Sequence, residues 1–237
     1  MNSLIALAVA PGLAICIYIY WKDKFDPEPK RLLIWAFILG VLSIIPAVIL
    51  ESAVLKLGIV YADSLLKTAI YSFAGVAIIE EAVKFFVVFR FLYPKKEFDE
   101  PFDGITYCVM ASMGFATLEN IAYTIDYGAA TGVLRMFTAV PAHAAFGVIM
   151  GYFLGLAKFN TERSNTYLAY ALFVPAILHA AYDFPLLLAE DSLAWIGRYK
   201  LIGALISLLI AILLSRRAIK IHQYNSPFKN EDVLEGR

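Results

Sequence analysis

Seven apolar stretches succeed one another along the chain, at approximately residues 2–20, 32–50, 68–92, 104–125, 133–157, 167–188 and 199–214. Each is close to the length that carries a helix across a hydrocarbon core of about 30 Å. Short, charged segments separate them. The pattern predicts an all-α fold: a polytopic membrane bundle of about seven transmembrane helices, forming a single integral-membrane domain over residues 1–237. Its motif-bearing core is 68–188. Residues 215–237 are expected to form a polar cytoplasmic tail, too short for a soluble domain of ordinary size.

Composition supports this reading. Hydrophobic residues make up 61% of the chain and charged residues only 17%, with a mean hydropathy of +0.71. A soluble domain carries about 45–50% apolar and about 25% charged residues. The net charge of zero offers no footprint for a nucleic-acid partner. The first twenty residues have neither the basic start nor the small-residue cleavage site of a secretory leader, so they are expected to be an uncleaved first span. Cys16 and Cys108 lie in apolar stretches and are expected to be packing residues.

Seven spans place the connecting segments alternately on two sides. Of the Lys and Arg residues, 14 fall on one side and 5 on the other, with Lys84 inside a span. Basic residues stay cytoplasmic, which puts the N-terminus outside and the C-terminus in the cytoplasm of a cell membrane. Trp21, Tyr20, Tyr93 and Tyr199 fall at span ends, as interfacial anchors do. The connectors DKFDPEPKR and KKEFDEPFDG are expected to be solvated turns, with Pro101 and Gly104 marking the entry to the fourth span.

The informative residues are polar groups at membrane depth. An Asp, Glu or Lys at a helix centre costs about 2.5–3.5 kcal/mol, so such groups are kept for function or for pairing. Here they are Glu80, Glu81 and Lys84 in the third span, Glu119 in the fourth, His143 in the fifth, and His179 with Asp183 in the sixth. The first two spans and the last hold no comparable group. Counted inward at 1.5 Å per residue, the four sets reach one layer, in the outer half of the membrane or near its middle. Lys84 lies i,i+4 from Glu80 and i,i+3 from Glu81, within reach of either carboxylate. His179 and Asp183 share a helix face, where the Asp can orient the imidazole or share its ligands. His143, Gly147, Gly151 and Gly155 form a stripe that lets another helix approach closely. Pro141 and Pro175 are placed to kink their helices near the cluster.

Two chemistries fit this set. Hydrolysis of a peptide bond needs an activated water, an acid for the leaving amine and stabilisation of the oxyanion. Glutamates and histidines supply all three. Glu81, Glu119, His143 and His179 also contain a zinc donor set with an open position, although no HExxH is present. The same carboxylates can serve as a relay in a proton- or ion-coupled transporter. The residues alone leave enzyme and transporter both open.

Four short motifs then carry a resemblance. EEAVK from Glu80 to Lys84 fits EExxK, and FATLENIAY from Phe115 to Tyr123 fits FxxxExxxY. HAAFGVIMG from His143 to Gly151 fits HxxxxxxxG, and HAAYD from His179 to Asp183 fits HxxxD. In order, on four successive spans, they resemble the PrsW family of bacterial intramembrane proteases, which is distantly similar to the CAAX-processing and Abi proteases. The resemblance implies an intramembrane endopeptidase whose catalytic residues are Glu80, Glu81, Glu119, His143 and His179, supported by Lys84 and Asp183. It also implies a single-pass membrane protein substrate, an anti-sigma factor cut on its extracytoplasmic side in a stress response. Both metallo- and glutamate-type mechanisms are described for such families, so zinc stays open. The CAAX-type relatives have His where this chain has Glu119 and Asn where it has Asp183, so their mechanism does not carry over in detail.

Overall fold

The structure, a computed structural model, describes residues 2–58, 64–188 and 199–230. Arg198 and Arg237, used in the charge count above, lie outside these residues. Helices are α1 (Asn2–Lys22), α2 (Lys30–Lys56), α3 (Leu65–Ile70), α4 (Ile78–Phe91), α5 (Pro101–Tyr127), α6 (Ala129–Phe137), α7 (Ala139–Phe159), α8 (Ser164–Leu187) and α9 (Lys200–Tyr224). A π-helical turn, Tyr71–Ala77, joins α3 to α4 without a break. No strand occurs among the described residues.

Five helical stretches are long and apolar enough to cross a membrane: Leu4–Lys22, Lys30–Lys56, Ala129–Phe159, Thr161–Leu187 and Lys200–Tyr224. This is a multi-pass membrane bundle. The continuous stretch from α3 to α4 and the 27-residue α5 complete it. At 1.5 Å per residue, α5 is about 40 Å long. These two stretches carry Glu80, Glu81, Lys84 and Glu119, the groups that lower their apolar character.

α5 is the axis of the bundle, with every residue from Phe102 to Thr117 buried. A capping box starts it: Glu100 and Asp103 exchange side-chain-to-backbone bonds, with Pro101 in the first turn. Such a box satisfies amides that a helix start leaves open. Its neighbours approach closely where glycines meet. A β-carbon at Gly151 of α7 would overlap the Gly104 carbonyl, and one at Gly40 of α2 would overlap the Ala111 carbonyl. The glycine stripe of α7 therefore packs on α5, because small residues let membrane helices gain backbone contact.

Several expectations are corrected. The fifth span is divided, since Thr138 leaves helical geometry (φ −124, ψ −77) between α6 and α7. Pro141 then stands in the first turn of α7, where a missing N–H costs no hydrogen bond, and so it causes no kink. Pro175 does lie inside α8. The last helix runs ten residues past 214, to Tyr224, so part of the expected tail is helical. Ser226 beyond it is buried and bonded to Glu100.

The two acidic connectors are not solvated turns either, because Asp23, Glu28, Glu100 and Asp103 are all buried. The loops fold onto each other: Tyr107 donates to Glu28, and Thr106 lies 3.4 Å from Asp23. Trp21 and Tyr199 are well exposed, as interfacial anchors should be, and both cysteines are free thiols.

Gly151→Leu is expected to lower the thermal midpoint in detergent micelles, at a cost of at least the roughly 1–3 kcal/mol usual for overpacking. The obstruction is backbone, which cannot rotate away. An unchanged midpoint would mean that α5 and α7 do not meet at this seam.

Candidate active site

The polar groups placed in one layer by sequence do converge, and Lys84 is their centre. Glu80 and Glu81 stand four and three residues before Lys84 on α4, so helix geometry alone gathers them. The Lys84 ammonium bonds both carboxylates at once, 3.0 Å from Glu80 Oε2 and 2.9 Å from Glu81 Oε1. It also lies 3.1 Å from His143 Nδ1, on α7. The Phe115 ring covers it from α5, at 4.1 Å from the ring centroid. All four ionisable groups are buried.

Each histidine spends its other contact on a carboxylate. An ammonium has only donors, so His143 Nδ1 accepts and its Nε2–H donates to Glu119 Oε2 at 3.0 Å. His179 lies between two acids, with Nδ1 at 3.0 Å from Glu81 Oε1 and Nε2 at 3.2 Å from Asp183 Oδ2. The two imidazole centroids are 5.1 Å apart, nearly perpendicular, and Phe146 stacks on His179 at 4.9 Å. The π-helical turn before α4 is tied to α8 where Ser72 donates to the Ala180 carbonyl at 2.7 Å. That bond fixes the residue next to His179 against the segment that leads into Glu80. Such turns are frequent at functional sites.

Glu119 stands in an outer position. Its Oε2 also meets Arg135 Nη2 at 2.7 Å, and Arg135 lies over the Tyr123 ring at 3.9 Å. The atoms that converge within 4.8 Å of one another come from Glu80, Glu81, His143 and His179. This set contains Glu80, where the sequence expectation had Glu119.

Two contributors escaped the sequence reading. Arg135 counted as an ordinary loop cation, and only the turn at Gly128, with φ at 88°, sends α6 back over the site. Glu51 fell one residue past the expected end of the second span, but α2 continues to Lys56 and carries it to the cavity wall. A cavity of about 1010 Å³ opens over the cluster, with Glu51, Glu80, Glu119, His143, His179 and Asp183 in its lining. Glu81 does not line it and is fully buried.

Residues 28–215 match the model of the family described as PrsW family intramembrane metalloprotease. The chain belongs to the PrsW family. Relatives named Protease PrsW include that of Geobacillus kaustophilus, 40% identical over 201 residues that cover 85% of this chain and 87% of the relative. The protein of Bacillus subtilis is 37% identical, over 78% of this chain and 83% of its own length. That of Clostridioides difficile is 33% identical, over 78% and 80%. No solved structure matches the chain. As a PrsW-family member the protein is an intramembrane peptidase, and the transporter expectation falls.

The residues fit the metal in the PrsW family's description. Two histidines and two carboxylates with converging donor atoms are a usual zinc set. Glu119 and Asp183 hold the far nitrogens of the histidines, as carboxylates do behind metal-ligating imidazoles. Glu81 Oε2 is buried with no hydrogen-bond donor, an acceptor that a cation would satisfy.

Removing Lys84 would leave two buried carboxylates facing each other. Lys84→Met is expected to cost about 3–5 kcal/mol, as for a buried ion pair that loses one partner. Adding Glu80→Gln and Glu81→Gln to it should recover most of the loss, since the uncompensated charge goes with them. Thermal unfolding of the single and triple variants in detergent checks this. Equal destabilisation in both would remove the charge argument.

Proposed function

We propose that the protein is an endopeptidase that hydrolyses a peptide bond of a single-pass membrane protein, in the plasma membrane of a bacterium. The single observation that carries the division of labour is the different exposure of two adjacent glutamates. Glu80 faces the cavity, whereas Glu81 is sealed between Lys84 and His179. Glu80 is therefore the general base: its carboxylate takes the proton of a water in the cavity and returns it to the leaving amine. Glu81, His143 and His179 are the residues that would hold zinc. When bound, zinc supplies a Lewis acid that polarises the scissile carbonyl and eases deprotonation of water.

The remaining residues position these groups. Glu119 fixes the tautomer of His143, and Arg135 fixes Glu119. Asp183 orients His179. Lys84 keeps two adjacent acids charged in an apolar surrounding, at the cost of occupying the space between them. Ile44, Val48 and Leu134 give the cavity an apolar wall, which suits an unwound stretch of a hydrophobic helix. An anti-sigma factor, cleaved on its extracytoplasmic side as the first step of a stress response, is the substrate we infer from the family.

Cleavage of a single-pass anti-sigma factor from the same genome, reconstituted in liposomes, tests the assignment. Glu80→Gln is expected to lower turnover about 10²–10⁴-fold, the usual contribution of a general base, and His179→Ala to abolish it. Asp183→Asn should cost about 10–100-fold, as loss of a carboxylate behind a ligand does. Wild-type turnover in Glu80→Gln and His179→Ala would overturn the site.

Zinc is expected at close to one equivalent in the purified protein and to be lost in His179→Ala. Full activity in metal-free, chelator-treated protein would remove zinc from the reaction.

A further inference from the structure

A second group of buried acids lies far from this site. Asp103, in the first turn of α5, is about 24 Å along that helix from Glu119 at 1.5 Å per residue. Around it gather Asp23 and Glu28 from the α1–α2 loop and Glu100 from the α4–α5 loop, all at least nine-tenths buried. Oxygens of Asp23, Glu100 and Asp103 lie within 4.8 Å of one another, and the Glu28 carboxyl touches that of Asp103.

What distinguishes this cluster is the lack of a cation. Among the described residues none of the four acids makes an ion pair. Lys158, close enough to feel the charge of Asp103 and Glu28, turns its ammonium to the carbonyls of Tyr93 and Lys95, at 2.6 and 3.1 Å. Asp103 Oδ2 is satisfied by the amides of Asp99 and Glu100, and Glu100 by Ser226. Asp23 Oδ2 accepts from the Glu28 amide. Two oxygens are left over: Asp23 Oδ1 and Glu28 Oε1 are buried with no donor. An unmet buried acceptor on a charged group is costly, and four acids sharing one space must take up either protons or a cation. Burial, with Glu100 and Asp26 adding repulsion, pushes Asp23 up to about 7. Burial, with Asp23 adding repulsion, pushes Glu28 up to about 8.

We propose that Asp23, Glu28, Glu100 and Asp103 form a binding site for a hard divalent cation, Mg²⁺ or Ca²⁺, that ties the α1–α2 loop to the start of α5. The donors are all oxygens, which favours these ions over zinc. The Tyr107 hydroxyl, bonded to Glu28, and Thr106, beside Asp23, steady the ligands from one turn further along α5. Through Ser226 the same ion fastens the chain that follows α9.

The test uses the whole protein in detergent micelles, stripped with EDTA, transferred to chelator-free buffer at about pH 8 and titrated with Mg²⁺ alone and with Ca²⁺ alone. Equilibrium dialysis and thermal unfolding are the readouts. The expected result is saturable uptake of about one equivalent of one of the two ions, with a rise of several degrees in the midpoint. Asp103→Asn and Glu28→Gln should each weaken that uptake about ten-fold or more. Both variants leave the membrane-buried cluster intact, so uptake there would persist in them. Uptake by the variants equal to wild type would therefore overturn the proposal. So would wild-type protein with neither uptake nor a midpoint rise at millimolar ion, which would mean that the acids are held neutral by protons. The wild-type titration decides the matter if a variant fails to fold.

Discussion

The site depends on one ammonium group. Lys84 holds two adjacent glutamates and one histidine, all buried among the helices, and each of those groups would be expensive there alone. Because Lys84 shares a helix with both acids, their neutralisation is local and survives any small shift of the other helices. The histidines come from elsewhere. They are held from both sides, His143 by Lys84 and His179 by Glu81 on the α4 edge, and by Glu119 and Asp183 on the other. The result is an unbroken chain of polar contacts from Arg135 through Glu119, His143 and Lys84 to Glu81, His179 and Asp183.

Such a chain needs helices that cannot drift, and the glycines of α2, α5 and α7 provide this. Where Gly104 meets Gly151 and Gly40 meets Ala111, backbone touches backbone. No side chain can relax to absorb a displacement. Within a bilayer, helices gain little from the hydrophobic effect between themselves, so close contact of this kind carries much of their association. The same rigidity keeps His143, one turn before Gly147, facing the acids of α4.

The bundle and the core of the site were legible because their signals are local. Twenty-residue apolar runs and i,i+4 pairs are fixed by helix geometry, and charged groups inside such runs are costly enough to mean something. Arg135 was not legible, because a cation near a span end is ordinary until α6 is seen to fold back over Glu119. Glu51 was lost to a boundary drawn one residue short. The acidic loops misled for a different reason. Charged, proline-containing connectors usually stay in water, and burial here comes from pairing segments far apart in sequence, as between Glu28 and Tyr107 or Glu100 and Ser226. No local pattern encodes that meeting.

Two groups of buried acids therefore sit at separate levels of one helix axis, and they solve the same electrostatic problem differently. At the level of Glu119 and α4, the chain supplies its own cations, Lys84 and Arg135, which pair with Glu80, Glu81 and Glu119. At the level of Asp103, it supplies hydroxyls and amides but no charge, although Lys158 is near and turns aside to carbonyls. α5 joins the two levels as a rod that is buried from Phe102 to Thr117 and gripped by backbone contact. A change in how the Asp103 end is neutralised thus falls on a helix with no slack, and the next carboxylate along it is Glu119, the residue that sets the tautomer of His143.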